Sequence, residues 1–244
     1  MPLTVTEALT DQPSTIPAKS VYTAHKTLGH YKAPAGDNST QRVLIRTKSD
    51  AFAKMVITSP CNRMDSWFFY TAIYLKLVRY VLPNCFFTPR ELQKIQQEAL
   101  HTFLAKCGYN SKTHQSIVFA PISFGGCGFC ALYLLQGEGQ ILIFLKNWQA
   151  DTQASRLLCI AVSWTQLYLG TSFCCLQDTT TPLPHMPGRW LKLLRSFLAT
   201  IDGALELDHQ FLPPTQRLDD MYLMNLVLQS AAVTEPEIKR INYF

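Results

Sequence analysis

Two stretches of this chain, residues 118–137 and 157–176, each run 20 positions without a charged side chain. That is the length a helix needs to cross a bilayer, so the chain must either place them in lipid or fold around them. The first contains Pro121 and the cluster Gly125-Gly126-Cys127-Gly128, which would break a helix near its middle. The second contains Ser163, Thr165, Gln166, Thr171 and Ser172, polar groups that a spanning helix would have to satisfy internally. Buried helices of a globular core account for both, and a membrane-associated helical protein stays as the lesser alternative. Composition agrees with the globule: 48% of the 244 residues are hydrophobic and 16% charged, unlike a disordered chain. The length admits one large domain or two small ones.

Eight cysteines, at 61, 85, 107, 127, 130, 159, 174 and 175, are scattered through apolar runs. The first 20 residues hold Asp11 and two prolines before Ile16, with no apolar core of a secretory signal. These features predict reduced, mostly core-filling thiols in an intracellular protein, nuclear or cytoplasmic, and not a secreted one. The net charge of +5 is unevenly spread. Residues 1–112 hold fourteen Lys and Arg against seven acids, a balance of +7; the remainder holds eight against ten, a balance of −2. A basic half joined to a mildly acidic one suits either a footprint on a polyanion or an ordinary solvated surface.

Periodicity and punctuation predict a mostly α-helical chain. Residues 1–20 read as a disordered Pro/Ser/Thr-rich tail, and 25–36 as a short strand-and-turn segment closed by Pro34 and Gly36. Residues 40–58, with Val43, Leu44, Phe52, Met55 and Val56, read as an amphipathic helix, and 65–82 as a second with a broad apolar face. Thr88-Pro89-Arg90-Glu91 is the sharpest local signal: Thr at the N-cap, Pro at the first helical position and Glu two positions later. The helix it opens closes at Cys107-Gly108. Residues 116–121 read as extended, 130–148 and 152–169 as helices, the latter stopped by Gly170. A loop with three prolines spans 178–188, and helices at 189–200 and 219–230 follow. This divides the chain into the tail, a basic region at 21–112 and a helical region at 113–244.

No constellation of catalytic residues emerges. Cys127-Gly128-Phe129-Cys130 has the spacing of half a zinc site or a redox pair, yet no second pair follows, and two small buried residues after a glycine turn explain it. None of His25, His30, His101, His114, His185 and His209 forms a metal-binding pair one helical turn apart. Ser163 and Ser196 lack the flanking glycines of a nucleophile elbow. Asp219-Asp220 is the one adjacent acid pair, and it precedes an apolar helical run, where acids favour the helix dipole. What remains is a basic set interleaved with aromatics: Arg42, Arg46, Lys48, Lys54, Arg63, Lys76, Arg79, Arg90 and Lys94. Such groups neutralise phosphates and release counterions, without base readout.

Ala24-His25-Lys26-Thr27-Leu28-Gly29-His30-Tyr31-Lys32, followed by Pro34-Ala35-Gly36, resembles the segment that ends the palm in non-LTR-like retroelement reverse transcriptases from microbial eukaryotes. The order of later motifs is similar. Residues 63–80 resemble that family's second thumb-like helix. Residues 88–108, with Lys94-Ile95-Gln96 and Leu104-Ala105-Lys106-Cys107-Gly108, resemble the next. Ile117-Val118-Phe119-Ala120-Pro121 and Gly125-Gly126-Cys127-Gly128 resemble its glycine element, and Gln136-Gly137-Glu138-Gly139-Gln140 and Gln166-Leu167-Tyr168-Leu169-Gly170 its following helices. The likeness covers roughly residues 21–230. Ala105 stands where the family has proline, and Cys127 where it has leucine.

The resemblance implies a helical thumb/connection bundle that grips a primer–template duplex. The family's catalytic aspartates lie upstream of His-Lys-Thr-Leu-Gly, where this chain has only a short unrelated segment. The expectation is therefore a truncated reverse-transcriptase-like fragment with no polymerase activity and no cofactor. It would bind at most RNA/DNA duplex non-specifically through residues 40–112, have no small-molecule substrate, and could pair with a separately encoded palm. A helical protein-interaction module is the alternative.

Overall fold

The computed structural model of the chain describes residues 3–6, 13–16, 19–208, 217–230 and 233–241. The fold is mostly α-helical, as expected. It divides into two compact units, residues 1–74 with 94–111, and residues 75–93 with 112–244.

In the first unit, part of the segment expected as a tail is paired: β1 (Leu3–Thr6) runs antiparallel to β2 (Pro13–Ile16). The expected strand-and-turn is a hairpin of β3 (His25–Thr27) and β4 (His30–Lys32). Its two-residue turn has positive φ at both Leu28 (48°) and Gly29 (82°), the turn hand that matches strand twist. The Tyr31 N–H donates to Gln41 Oε1 at 2.7 Å, tying β4 to α1 (Ser39–Thr58).

The buried stripe of α1 shares only Val56 with the expected one. Gln41, Ile45, Ser49, Ala53 and Val56 face inward, while Val43 and Met55 are 62% and 45% exposed. Two of the inward residues are polar because each has a partner: Gln41 takes the hairpin amide, and the Ser49 hydroxyl meets the Tyr74 hydroxyl at 2.9 Å.

The single helix expected at 65–82 is three pieces. An Asn62/Asp65 capping box opens α2 (Arg63–Phe68). A π-helical stretch, Phe69–Tyr74, follows, and α3 (Leu75–Arg79) resumes regular winding. The π stretch places Tyr70 and Tyr74 together inside, their rings 5.8 Å apart. Phe103 of α4 (Pro89–Lys106) packs on both, at 5.1 and 5.6 Å.

Both ends of α4 follow their sequence signals. Thr88 N–H donates to Glu91 Oε2 (2.9 Å) and Glu91 N–H donates back to Thr88 Oγ1 (3.3 Å). At the other end Tyr109 N–H reaches Leu104 O and Gly108 N–H reaches Ala105 O, a Schellman motif with Gly108 at φ 81°.

In the second unit, residues 116–121 are not extended. His114 caps a five-residue helix, α5 (Gln115–Phe119), by accepting from the Ser116 N–H. The glycine element then doubles back, with Cys127 N–H on Ile117 O and Phe129 N–H on Val118 O. Helix α6 (Leu132–Trp148) packs against α3, against the turn Leu82–Asn84, against α7 (Gln153–Leu169) and against α8 (Trp190–Thr200). Gly137 and Gly139 make this approach possible: a Cβ at either would lie 2.2 to 2.3 Å from the Phe197 ring or from Pro83.

The main core cluster here is largely aliphatic, with Phe144 packed among Val162, Leu169, Leu176, Leu191, Leu194 and Leu198. Gly170 ends α7, as expected, and Thr152 stands just before the helix as its N-cap, its side chain accepting from the Ser155 N–H. α9 (Leu223–Gln229) begins later than expected, so Asp219 and Asp220 precede it and are not in its first turn; Asp220 accepts from the Arg217 N–H. α10 (Glu235–Ile241) follows.

The two uncharged runs part company with the sequence reading in one respect. Among the described residues no helix is long and apolar enough to cross a membrane. Yet α7 is not wholly buried: Val162, Thr165, Gln166 and Leu169 face inward, while Leu157, Ile160, Trp164 and Leu167 face out.

Candidate nucleic-acid interface

Six of the nine candidate cations belong to the first unit (Arg42, Arg46, Lys48, Lys54, Arg63 and Lys94) and three to the second (Lys76, Arg79 and Arg90). All nine residues are exposed. At about 100° per residue around α1, Arg42 and Arg46 are neighbours on one flank of the buried stripe. Lys54 lies about 80° beyond Arg46, and Lys48 is on the opposite flank. These four therefore wrap the helix and do not form one stripe. The one acid of α1, Asp50, is half-buried, with Oδ1 shielded from solvent.

Arg63 and Arg79 are each held by a specific group. The Arg63 guanidinium lies 5.3 Å from the Tyr109 ring centroid and donates to its hydroxyl at 3.3 Å. Arg79 pairs with Glu138 at 2.6 Å. Arg90 sits in the first turn of α4, where a cation opposes the helix dipole, and Lys94 lies one turn further along that helix. Beside the end of α1, a groove of about 450 Å³ is lined by Ile57, Glu98, His101, Thr102, Ala105 and Lys106. Lys106 Nζ is spent on Ser59 O at 2.9 Å, and Glu98 makes the groove mixed in charge, a poor seat for phosphate.

Cys127 is buried and Cys130 half-buried, and burial pushes both thiols up, away from the thiolate that metals and redox chemistry use. Five of the eight cysteines are buried, and none of the eight forms a disulfide. No group of three or more His, Cys, Asp or Glu among the described residues could hold a metal ion. His30 is buried with neither ring nitrogen bonded to a described group; burial, then Lys32, lowers its pKa and keeps it neutral. His209 lies outside the described residues.

Sequence reasoning missed the buried polar anchors of the second unit. On α6, Gln136 Nε2 donates to Phe87 O (2.9 Å) and Gln140 Nε2 to Cys85 O (3.1 Å). On α7, Gln166 donates to Thr171 O and Phe173 O and accepts from the Cys175 N–H. Arg195, buried on α8, donates to the carbonyls of Cys175, Asp178 and Thr181. Burial opposes ionisation of Asp178, but hydrogen bonds from Thr181 and Thr180 outweigh it and hold its carboxyl at about 2. The available signal was Arg195 standing among Leu191, Leu194 and Leu198 on the apolar face of α8.

Comparison with protein-family models, curated proteins and solved structures finds no match for this chain.

Proposed function

We propose that the exposed cations of residues 40–112 bind nucleic-acid duplex without sequence specificity, in a fragment related to the region downstream of a reverse transcriptase's catalytic palm. The ordered motifs from Ala24 to Gly170 support the kinship. One observation carries the binding: α1 turns Arg42, Arg46, Lys48 and Lys54 to solvent while its one acid is half-buried. The charged groups on the outward circumference of α1 are therefore almost wholly cationic. Arg90 adds to this reading, because its position is electrostatically unfavourable for the helix itself.

Cations spread around a helix, with no side chains arranged to read base edges, give affinity through counterion release alone. Binding in the range of about 10⁻⁴ to 10⁻⁶ M at physiological salt is expected, falling steeply as salt rises. Anisotropy of a labelled RNA–DNA hybrid against salt concentration tests it. Arg46→Glu with Lys54→Glu should weaken retention and flatten the salt slope by roughly one unit for each phosphate no longer neutralised. Retention that ignores salt, or ignores the double reversal, overturns the reading. No chemistry is assigned to the chain, so template-dependent primer extension with Mg2+ or Mn2+ would overturn that part of it.

A further inference from the structure

The outward side of α7 carries four large apolar residues, Leu157, Ile160, Trp164 and Leu167, between 56% and 63% exposed. Their spacing is three, four, three. That is the seam of a helix that pairs with another helix by interlocking side chains, and it differs from the scatter of single apolar residues found on any surface. Trp164 is held in place by Tyr168, whose ring stacks on it at 5.6 Å with planes 26° apart. A preset aromatic loses little freedom on docking, which is what interface anchors have in common.

We infer that this face of α7 pairs with α7 of a second copy of the chain, the two helices antiparallel about a two-fold axis near residue 162. Three features select a copy over an unrelated partner. The seam complements itself: with the helices antiparallel, Leu157 meets Leu167 and Ile160 meets Trp164, each large residue opposite another. The flanks are uncharged. From Leu157 to Leu169 no residue carries a charge, and the nearest, Arg156, is paired with Asp151 at 3.5 Å, so copies do not repel and no charge pattern specifies a different sequence. The residues beside the crossing point are small, Ala161 on one flank of the seam and Ser163 on the other, so no bulky side chain fences off Ile160 and Trp164.

The exposed part of the four side chains amounts to about 500 Å² per copy, so the pair buries at most about 1,000 Å² from them, the low end at which specific interfaces begin. The dimer is accordingly weak, and its association lies in the micromolar range.

Sedimentation of the full chain from about 1 to about 100 µM, which brackets that range, tests the inference. A monomer–dimer equilibrium is expected, with emission of the wild type shifting to the blue relative to Trp164→Phe as dimer forms. Ile160→Glu and, separately, Leu167→Glu should leave a monomer throughout, with the far-ultraviolet helix signal unchanged; Phe124→Glu, at another exposed ring, should leave the dimer intact. A chain that stays monomeric at all concentrations overturns the inference, as does a dimer indifferent to both α7 substitutions. A monomer that co-floats with phosphatidylcholine vesicles and loses that property on Ile160→Glu also overturns it, and assigns the seam to a lipid surface.

Discussion

The unit that carries α1 and the unit that carries α7 fill their interiors by different means. In the first, ring packing among Tyr70, Tyr74 and Phe103 occupies the centre, and Gln41 and Ser49, the polar groups of α1 that turn inward, each meet one partner. In the second the main cluster is largely aliphatic, built around Phe144 stacked on Trp148, and Gln136, Gln140, Gln166 and Arg195 reach into that unit's interior. The cause is backbone. The second unit buries turns and loop segments, at 82–87 and 170–181, whose carbonyls have no helical partner and must find a donor. The first buries mainly helix flanks, whose carbonyls are already satisfied. Aromatic packing serves where only side chains meet, and amide or guanidinium anchors where irregular backbone enters a core. Their outward faces differ too, cationic on α1 and apolar on α7.

The sharpest way to break the comparison is Phe103→Ala, which removes the ring shared by both tyrosines. A fully buried phenylalanine cut to alanine should cost about 3–5 kcal/mol, read as a fall in the urea midpoint. A cost below about 1 kcal/mol would mean the aromatic cluster is not what holds that unit. Next comes Arg195→Met, which fills similar space and leaves the carbonyls of Cys175, Asp178 and Thr181 without their donor. A loss of about 2–4 kcal/mol is expected, and a neutral result would erase the distinction between the units.

The smallest effect is acid-dependent. The Asp178 carboxyl is held near 2 in the fold against an ordinary 3.8, so its contribution is complete above about pH 4 and is lost as pH falls toward 2. Urea midpoints of Asp178→Asn and wild type should therefore converge over that window; a gap that stays constant from pH 6 to pH 2, the span on either side of it, refutes the assignment.

Much of the helical framework was legible because its signals are local. Thr88, Glu91 and Gly108 delimit α4, and Thr152 and Gly170 delimit α7, through hydrogen bonds made within a few residues. The inward stripe of α1 was not legible, because Gln41 and Ser49 are polar by type and become interior only through Tyr31 and Tyr74, far along the chain. The π-helical stretch answers to the packing of Tyr70 and Tyr74 and leaves no mark in propensity. On α7 both sides are apolar, so periodicity could not say which side faces out. The cations of the candidate interface were legible as residue types, but their spread around α1 followed only once its inward side was known.

Gln166 has a chemical consequence of its own. Its amide is used in one sense only: the nitrogen donates hydrogen bonds to two carbonyl oxygens and the Thr171 hydroxyl, and the oxygen accepts one from a backbone amide. Exchange of that nitrogen for oxygen, the change that slow deamidation brings about in an ageing protein, would set a negative carboxylate against two carbonyl dipoles. The turn after α7 therefore discriminates between two side chains of almost identical shape, and a single atom decides whether it closes.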